Sequence, residues 1–437
     1  MSNMLSYDEA LSRVVEKAKS VRLPFENVPI AESCGRVLAA DAITEICNPA
    51  FDNSAMDGFA IRAADVSKAT AQHPVELTCH GHILAGDEPF GQRYDEPLKD
   101  AASAICFEIM TGAPLPQTAK ARLYCDAVVR IEDVQILQRD GENVRKIAIK
   151  APVPVGSSIR CAGEDFVPGA VLGHRGSLVT PEIVMALAAG GLSFVAVTVK
   201  PKIAIIVTGS EIVAHDKKAP IPASAVRNSS GPFLHAAFLA RGCDVLQMTQ
   251  AGDDLDALRS SLRDARESGA HVIVTTGAVS MGKRDLVGEA ILAEGGRIDF
   301  HKVAIRPGKP IMMADFSDGA VIFGLPGNPI STAVGMHFFV TPFLRTLRHE
   351  MALEARRGVL GEEWPRKLPS DLTCFLRAKL DDGDGADFGR VSILNGQDSF
   401  MVKPLAEATG WAVVPAGAGP LYAGTAIRFV PFSSGSL

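Results

Sequence analysis

Three short stretches carry residue types that handle anions. Lys302-Val303-Ala304-Ile305-Arg306-Pro307-Gly308-Lys309-Pro310 sets three cations within eight residues, braced by two prolines and a glycine. Arg forks match planar or tetrahedral oxyanions and Lys supplies a point charge, so the segment suits an oxyanion pocket, with a solvated charged face as the plain alternative. Leu325-Pro326-Gly327-Asn328-Pro329-Ile330-Ser331-Thr332 links an apolar run to a helix. Free N–H groups at a helix start attract anions, and Ser331 and Thr332 add hydroxyls. A rigid N-cap turn would use the same residues. Thr275-Thr276-Gly277-Ala278-Val279-Ser280-Met281-Gly282 puts small residues after a strand, where a ligand can approach the backbone. It is neither a Walker A loop nor a GxGxxG fingerprint, and a plain strand-to-helix connection reads equally well.

A fourth stretch, Phe51-Asp52-Asn53-Ser54-Ala55-Met56-Asp57-Gly58-Phe59-Ala60, offers oxygen donors of the kind Mg²⁺ prefers. Asx turns use the same residues. Thr111, Glu132, Asp133, Glu164, Asp165, Asp253, Asp254 and Asp285 are scattered hydroxyl or acid candidates, each also readable as a cap or surface group. No HExxH or GxSxG pattern appears among the 437 residues, so zincin and serine-hydrolase chemistry lack support.

The elements around these stretches alternate. Ser6 and Glu9 form a capping-box pattern, and Leu11, Val14, Val15 and Ala18 recur at helical spacing up to Lys19. Short apolar runs between turns predict a β-rich region over 47–150. From Pro181, strands at Lys202–Val207, Asp244–Met248, His271–Thr275 and Ala320–Gly324 alternate with helices at 182–189, 231–241, 253–268 and 330–347. Such alternation means βαβ units and a mostly parallel sheet, whose ligands bind at the carboxyl ends of the strands. The Gly-containing loops at 208–211, 276–282 and 325–329 fall there. After Arg348 the pattern is β, with strands expected at 375–380, 390–394, 411–414 and 426–430.

Composition narrows the class. Lys plus Arg number 44 against 50 Asp plus Glu, a net charge of −6, which argues against a general nucleic-acid binder. The eight cysteines include no CxxC pair, which fits reduced thiols and a cytoplasmic protein. Neither a secretory signal nor a membrane span is expected. The apolar run Ile183 to Val199 reads instead as a buried helix, a Gly-Gly turn and a strand.

Together FDNSAMDGFA (51–60), IMTGAP (109–114), IRCAGEDF (159–166), Thr208–Glu211, Thr276–Gly282, KVAIRPGKP (302–310) and GLPGNPIS (324–331) resemble the molybdopterin molybdenumtransferase family, which includes MoeA and the E domain of gephyrin. The resemblance implies a multidomain α/β protein. Residues 1–24 and 181–347 would form a MogA-like molybdopterin-binding parallel α/β domain, and 25–46 with 151–180 a small linking domain. Residues 47–150 would be a β-rich inserted domain and 350–437 a C-terminal β-barrel. It further implies a homodimer whose cleft both subunits line, and transient contact with other cofactor-synthesis proteins.

The implied activity is insertion of molybdenum from molybdate into adenylylated molybdopterin, releasing AMP and using Mg²⁺. On the same basis Arg306, Lys309 and Ser331 would bind molybdate. Asp57, Thr111 and Glu164 would be catalytic, with Asp57 and Glu164 also metal ligands. Thr208, Gly209, Gly277, Ser280, Gly282, Lys302, Pro326, Gly327 and Pro329 would hold the pterin, pyrophosphate or nucleotide.

This chain departs from the family pattern at Ser210, Asn228, Ala278 and Lys283, and Lys403-Pro404 stand where serines are usual. Fewer carboxylates and an added lysine make the pocket more cationic. A catalytically altered paralogue that binds or carries the cofactor is therefore the alternative reading. A receptor scaffold and a MogA-like adenylyltransferase rank below it.

Overall fold

The computed structural model describes residues 4–87, 104–118, 123–218, 220–278, 286–350, 355–381 and 389–432. The chain divides into two compact units. The first comprises Met1–Ala40, His174–Thr180 and Val195–Leu437, and the second Asp41–Gly173 and Pro181–Phe194.

In the first unit a six-stranded sheet runs in the order Asp244–Ala251, Lys202–Thr208, Val272–Thr276, Val321–Leu325, Met312–Asp315, Arg297–His301. The first four strands are parallel and the last two join antiparallel. Ile203, Ile205 and Val207 face one apolar core, while Ala204 and Ile206 face another. Burial on both faces is why these strands read as continuous apolar runs. The helix Tyr7–Ser20 covers the first face with Tyr7, Ala10, Val14 and Ala18, and its capping box at Ser6 and Glu9 forms as the spacing predicts. The helix Leu255–Glu267 covers the other face with Leu258, Leu262 and Ala265.

The helix after the Leu325 strand runs from Pro329 to Leu347 but contains a π-helical stretch at Met336–Val340, which no periodicity signals. Beyond it, five strands close a barrel. Thr373–Asp381 pairs with Gly389–Ile393 and Gly410–Val414, and Ala426–Pro431 and Arg356–Leu360 complete the ring. The barrel wall packs on the α/β part through aromatics. Phe375 stacks on Phe338 at 4.0 Å and meets Tyr7 edge-on at 5.3 Å. Ile305–Arg306 leaves the α/β part and pairs in parallel with Thr373–Cys374.

The second unit holds a six-stranded mixed sheet ordered Val134–Asp140, Asn143–Ile149, Val75–Ile83, Ile105–Ile109, Gly58–Ile61, Ala127–Arg130. Phe59 and Ile61 face one core and Ala60 the other, the alternation of a strand with both faces covered. The helix Pro181–Ala189 belongs to this unit. It is not the buried helix its apolar sequence suggests. Only Leu187 is buried, and Met185 is 75% exposed. All eight cysteines are free thiols. Among the described residues, no helix is long and apolar enough to cross a membrane.

Candidate active site

The three strand-end loops of the parallel sheet meet at close quarters. Thr208 ends its strand buried and donates its hydroxyl to the Thr276 carbonyl at 2.9 Å. The Gly277 N–H donates to the Leu325 carbonyl at 3.0 Å. Gly277 has φ +92°, and a Cβ there would lie 2.5 Å from the Thr208 hydroxyl, so only glycine fits. Gly327 approaches Gly277 closely enough that a Cβ would sit 3.4 Å from the Gly277 Cα. Pro326 is buried, and its carbonyl accepts the Thr332 hydroxyl at 2.7 Å. Pro329 opens the helix. Thr208, Gly209, Gly277, Pro326, Gly327 and Pro329 thus share one end of the sheet. Ser280, Gly282, Lys283 and Asp285 lie outside the described residues.

Two departures from the family pattern gain a structural account. Ser210 donates its hydroxyl to Asp253 at 2.8 Å, so a carboxylate still stands beside that loop, supplied from the next strand-to-helix turn. Asn228 accepts the Gly231 N–H at 2.8 Å and fastens the start of the Ser230–Leu239 helix. Ala278 takes φ +50°, a left-handed conformation that glycine adopts more readily.

The Arg306–Pro310 turn faces a cavity of about 480 Å³. Arg306, Lys309 and the buried Ser331 line it together, as do Trp364, Arg366, Lys367, Gln397 and Asp398. Gly308 takes φ +106°, a backbone conformation that side-chain-bearing residues rarely adopt, so the turn needs glycine there. The Ile330 N–H donates to the Ser399 carbonyl at 3.1 Å, tying the helix start to the barrel loop. Arg377, fully buried, props that loop by donating to the carbonyls of Asp398 at 3.2 Å and Met401 at 2.8 Å. Its NH2 group has no partner. Burial pulls its pKa down to about 10, against the opposing pull of Asp398. Lys302, expected among the binding residues, does not line this cavity. It takes φ +80°, and its N–H donates to the Ile311 carbonyl at 2.9 Å.

Trp364, Arg366, Lys367 and Arg377 were not picked out from the sequence. The only signal was a basic pair between Pro365 and Pro369, in a loop without periodicity.

In the second unit the register Gly58↔Ile109 sets Asp57 beside the turn that carries Thr111. Asp57 Oδ1 accepts the Thr111 N–H at 2.7 Å and its hydroxyl at 2.8 Å. These bonds, the backbone one first, hold the exposed Asp57 carboxyl below the ordinary carboxylate range. Glu164 stands elsewhere in this unit. It accepts the Cys161 N–H at 2.9 Å and lines a cleft with Asn48, Asn53, Arg160 and Asp165 that Asp57 does not line. Among the described residues, no three His, Cys, Asp or Glu side chains gather to hold a metal. Mg²⁺ commonly uses one or two carboxylates and draws its other ligands from water and substrate phosphates. Asp57 and Glu164, both exposed carboxylates, fit that donor chemistry.

The first unit thus joins a parallel α/β domain, with glycine loops at its strand ends, to a closed five-stranded barrel. Residues 5–191 match the profile of the MoeA N-terminal region (domain I and II). Residues 204–346 match a probable molybdopterin binding domain, and 358–432 the MoeA C-terminal region (domain IV). A molybdopterin molybdenumtransferase of Synechococcus elongatus is 35% identical over 97% of this chain and 99% of its own length. One from Bacillus subtilis is 32% identical over 94% and 90%. The solved molybdopterin biosynthesis MoeA protein of Pyrococcus horikosii superposes with a TM-score of 0.77 at 29% identity, covering 99% of this chain and all of that one. The chain belongs to the molybdopterin molybdenumtransferase (MoeA) family.

Proposed function

We propose that this chain is an active molybdenumtransferase of late molybdenum cofactor biosynthesis. It takes molybdenum from molybdate into adenylylated molybdopterin and releases AMP. The observation that carries the reading is the gathering of Arg306, Lys309 and Ser331 on one cavity. Molybdate is a tetrahedral dianion, so two cations and a buried hydroxyl complement its charge and its oxygens. Fixed cations also relieve the repulsion between that dianion and a phosphate-bearing substrate, with no reorganisation needed during reaction. The strand-end loops at Thr208–Gly209, Gly277 and Pro326–Pro329 let the pterin or nucleotide lie against backbone, and Ser280, Gly282 and Lys302 are assigned to the same ligand on the family resemblance alone.

Asp57, Thr111 and Glu164 are proposed as the catalytic set. Thr111 keeps Asp57 ionised and oriented through its two hydrogen bonds. Asp57 and Glu164, standing apart, would each offer Mg²⁺ a single carboxylate, and the ion when bound would neutralise phosphoanhydride charge. The domain division 1–24 with 181–347, 25–46 with 151–180, 47–150 and 350–437 belongs to this proposal. So do a homodimeric state, transient contact with other cofactor-synthesis proteins, and a cytoplasmic location. A carrier without chemistry is less favoured, because the curated relatives over nearly the whole chain are named as transferases.

Equilibrium binding of molybdate to the purified chain tests the oxyanion assignment. Arg306→Ala should weaken binding by roughly 10-fold or more, the effect of about 1.5–3 kcal/mol for a lost charge-assisted bond. Unchanged affinity in Arg306→Ala would remove the oxyanion pocket from the account.

A further inference from the structure

The cavity at the Arg306 turn holds more positive charge than molybdate needs. Among the described residues, four cations line it, Arg306, Lys309, Arg366 and Lys367, against the single carboxylate of Asp398. None of the four has a carboxylate partner among the described residues. Arg306 and Lys309 come from the turn that leaves the α/β part, whereas Arg366 and Lys367 come from the barrel loop after Arg356–Leu360. Arg366 lies over the ring of Trp364 at 5.9 Å, and the indole N–H of Trp364 is a buried donor with no partner. The exposed guanidinium of Arg366 and ammonium of Lys367, adjacent on one loop, offer donors to an acceptor-rich anion in the cavity. The cavity, about 480 Å³, has room for two oxyanions side by side.

We propose that Arg366 and Lys367 form a second anion subsite, which takes a phosphoryl group of the substrate and sets it beside the oxyanion at Arg306, Lys309 and Ser331. This deepens the function proposed above and rests on it for the identity of the first anion. Arg366 offers a fork to phosphate oxygens and Lys367 a point charge. Together they balance a second dianion as the first pair balances molybdate. The subsite orients substrate and makes or breaks no bond.

The protein has two tryptophans, and Trp411 is fully buried, so Trp364 is the cavity's own fluorescent reporter. The full chain is titrated at physiological salt with molybdate alone, with inorganic pyrophosphate alone, and with pyrophosphate at saturating molybdate. Calorimetry supplies stoichiometry. Pyrophosphate should quench or shift Trp364 emission and should still bind when molybdate is saturating. Arg366→Gln with Lys367→Gln should weaken pyrophosphate about 10-fold or more, while molybdate affinity falls by a smaller factor, because Arg306, Lys309 and Ser331 remain in place. Arg306→Ala should do the reverse.

AMP displacing pyrophosphate would place the leaving nucleotide's phosphate in the subsite. No displacement would place the pterin-side phosphate there. Pyrophosphate binding without molybdate binding would sink the functional reading yet leave the subsite standing. Wild-type pyrophosphate affinity in the double variant, or one-for-one competition between molybdate and pyrophosphate, would overturn the proposal.

Discussion

Asp57 shows how one carboxylate is readied by its neighbour. Two donors from Thr111 reach the same oxygen, and both bonds favour the ionised form. The folded pKa is therefore depressed. Any stabilisation from this pair is complete above the unfolded carboxyl's pKa and is lost as pH falls through the lower folded value. Thr111→Val keeps the backbone bond and deletes the hydroxyl one. Carboxyl-resolved NMR titration should show the Asp57 pKa rising toward the ordinary range in that variant, with the acid limb of activity moving up with it. A pKa unmoved by the loss of the hydroxyl would show that the backbone N–H alone sets it.

The element that aims Asp57 depends on Gly58. A Cβ on Gly58 would lie 1.9 Å from the Val129 carbonyl oxygen, inside the pairing that holds Gly58–Ile61 between its neighbours. Gly58→Ala should destabilise the protein by about 3 kcal/mol and should disturb the Asp57–Thr111 bonds. Denaturant unfolding checks the first effect and the NMR titration the second. Wild-type stability would mean that the strand yields more easily than its register suggests.

Elements differ in how much of them the sequence reveals. The Lys202, Val272 and Val321 strands are buried on both faces, so their apolar runs stand out. Arg356–Leu360 was missed because Arg356 and Arg357 are exposed and conceal its buried Gly358 and Leu360. Arg297–His301 was missed because only Phe300 is buried along it, and Met312–Asp315 because it is a four-residue antiparallel addition with no helix leading into it. Arg306, Lys309 and Ser331 could be picked out because prolines and glycine frame them. Arg366 and Lys367 could not, because an exposed basic pair has no period and only the closed barrel brings it to the Arg306 turn.

Across the first unit, the α/β part and the barrel share one aromatic seam, and His337 sits in it. Its ring stacks on Phe432 at 5.2 Å and meets Trp411 edge-on at 6.0 Å. Desolvation first, then the cation of Arg241, drives its pKa from 6.5 down to about 3. Because the folded value is depressed, the contribution of neutral His337 is complete above pH 6.5 and is lost progressively as pH falls toward 3. His337→Phe keeps an aromatic ring and removes the titration. The melting temperature of wild type should fall more steeply than that of the variant between roughly pH 6.5 and 4.5, above most carboxylate titrations. Parallel profiles would mean that the unit opens at this seam before the histidine is forced to ionise.

At the scale of the whole molecule, these parts are expected to perform one reaction. The most direct measurement is AMP release by the purified chain from adenylylated molybdopterin, with and without molybdate, at fixed Mg²⁺. Molybdate-dependent release that Arg306→Ala abolishes is the predicted result. Tight retention of the adenylylated ligand with no release, whether or not molybdate is present, would contradict it and leave a binding protein built on a transferase fold.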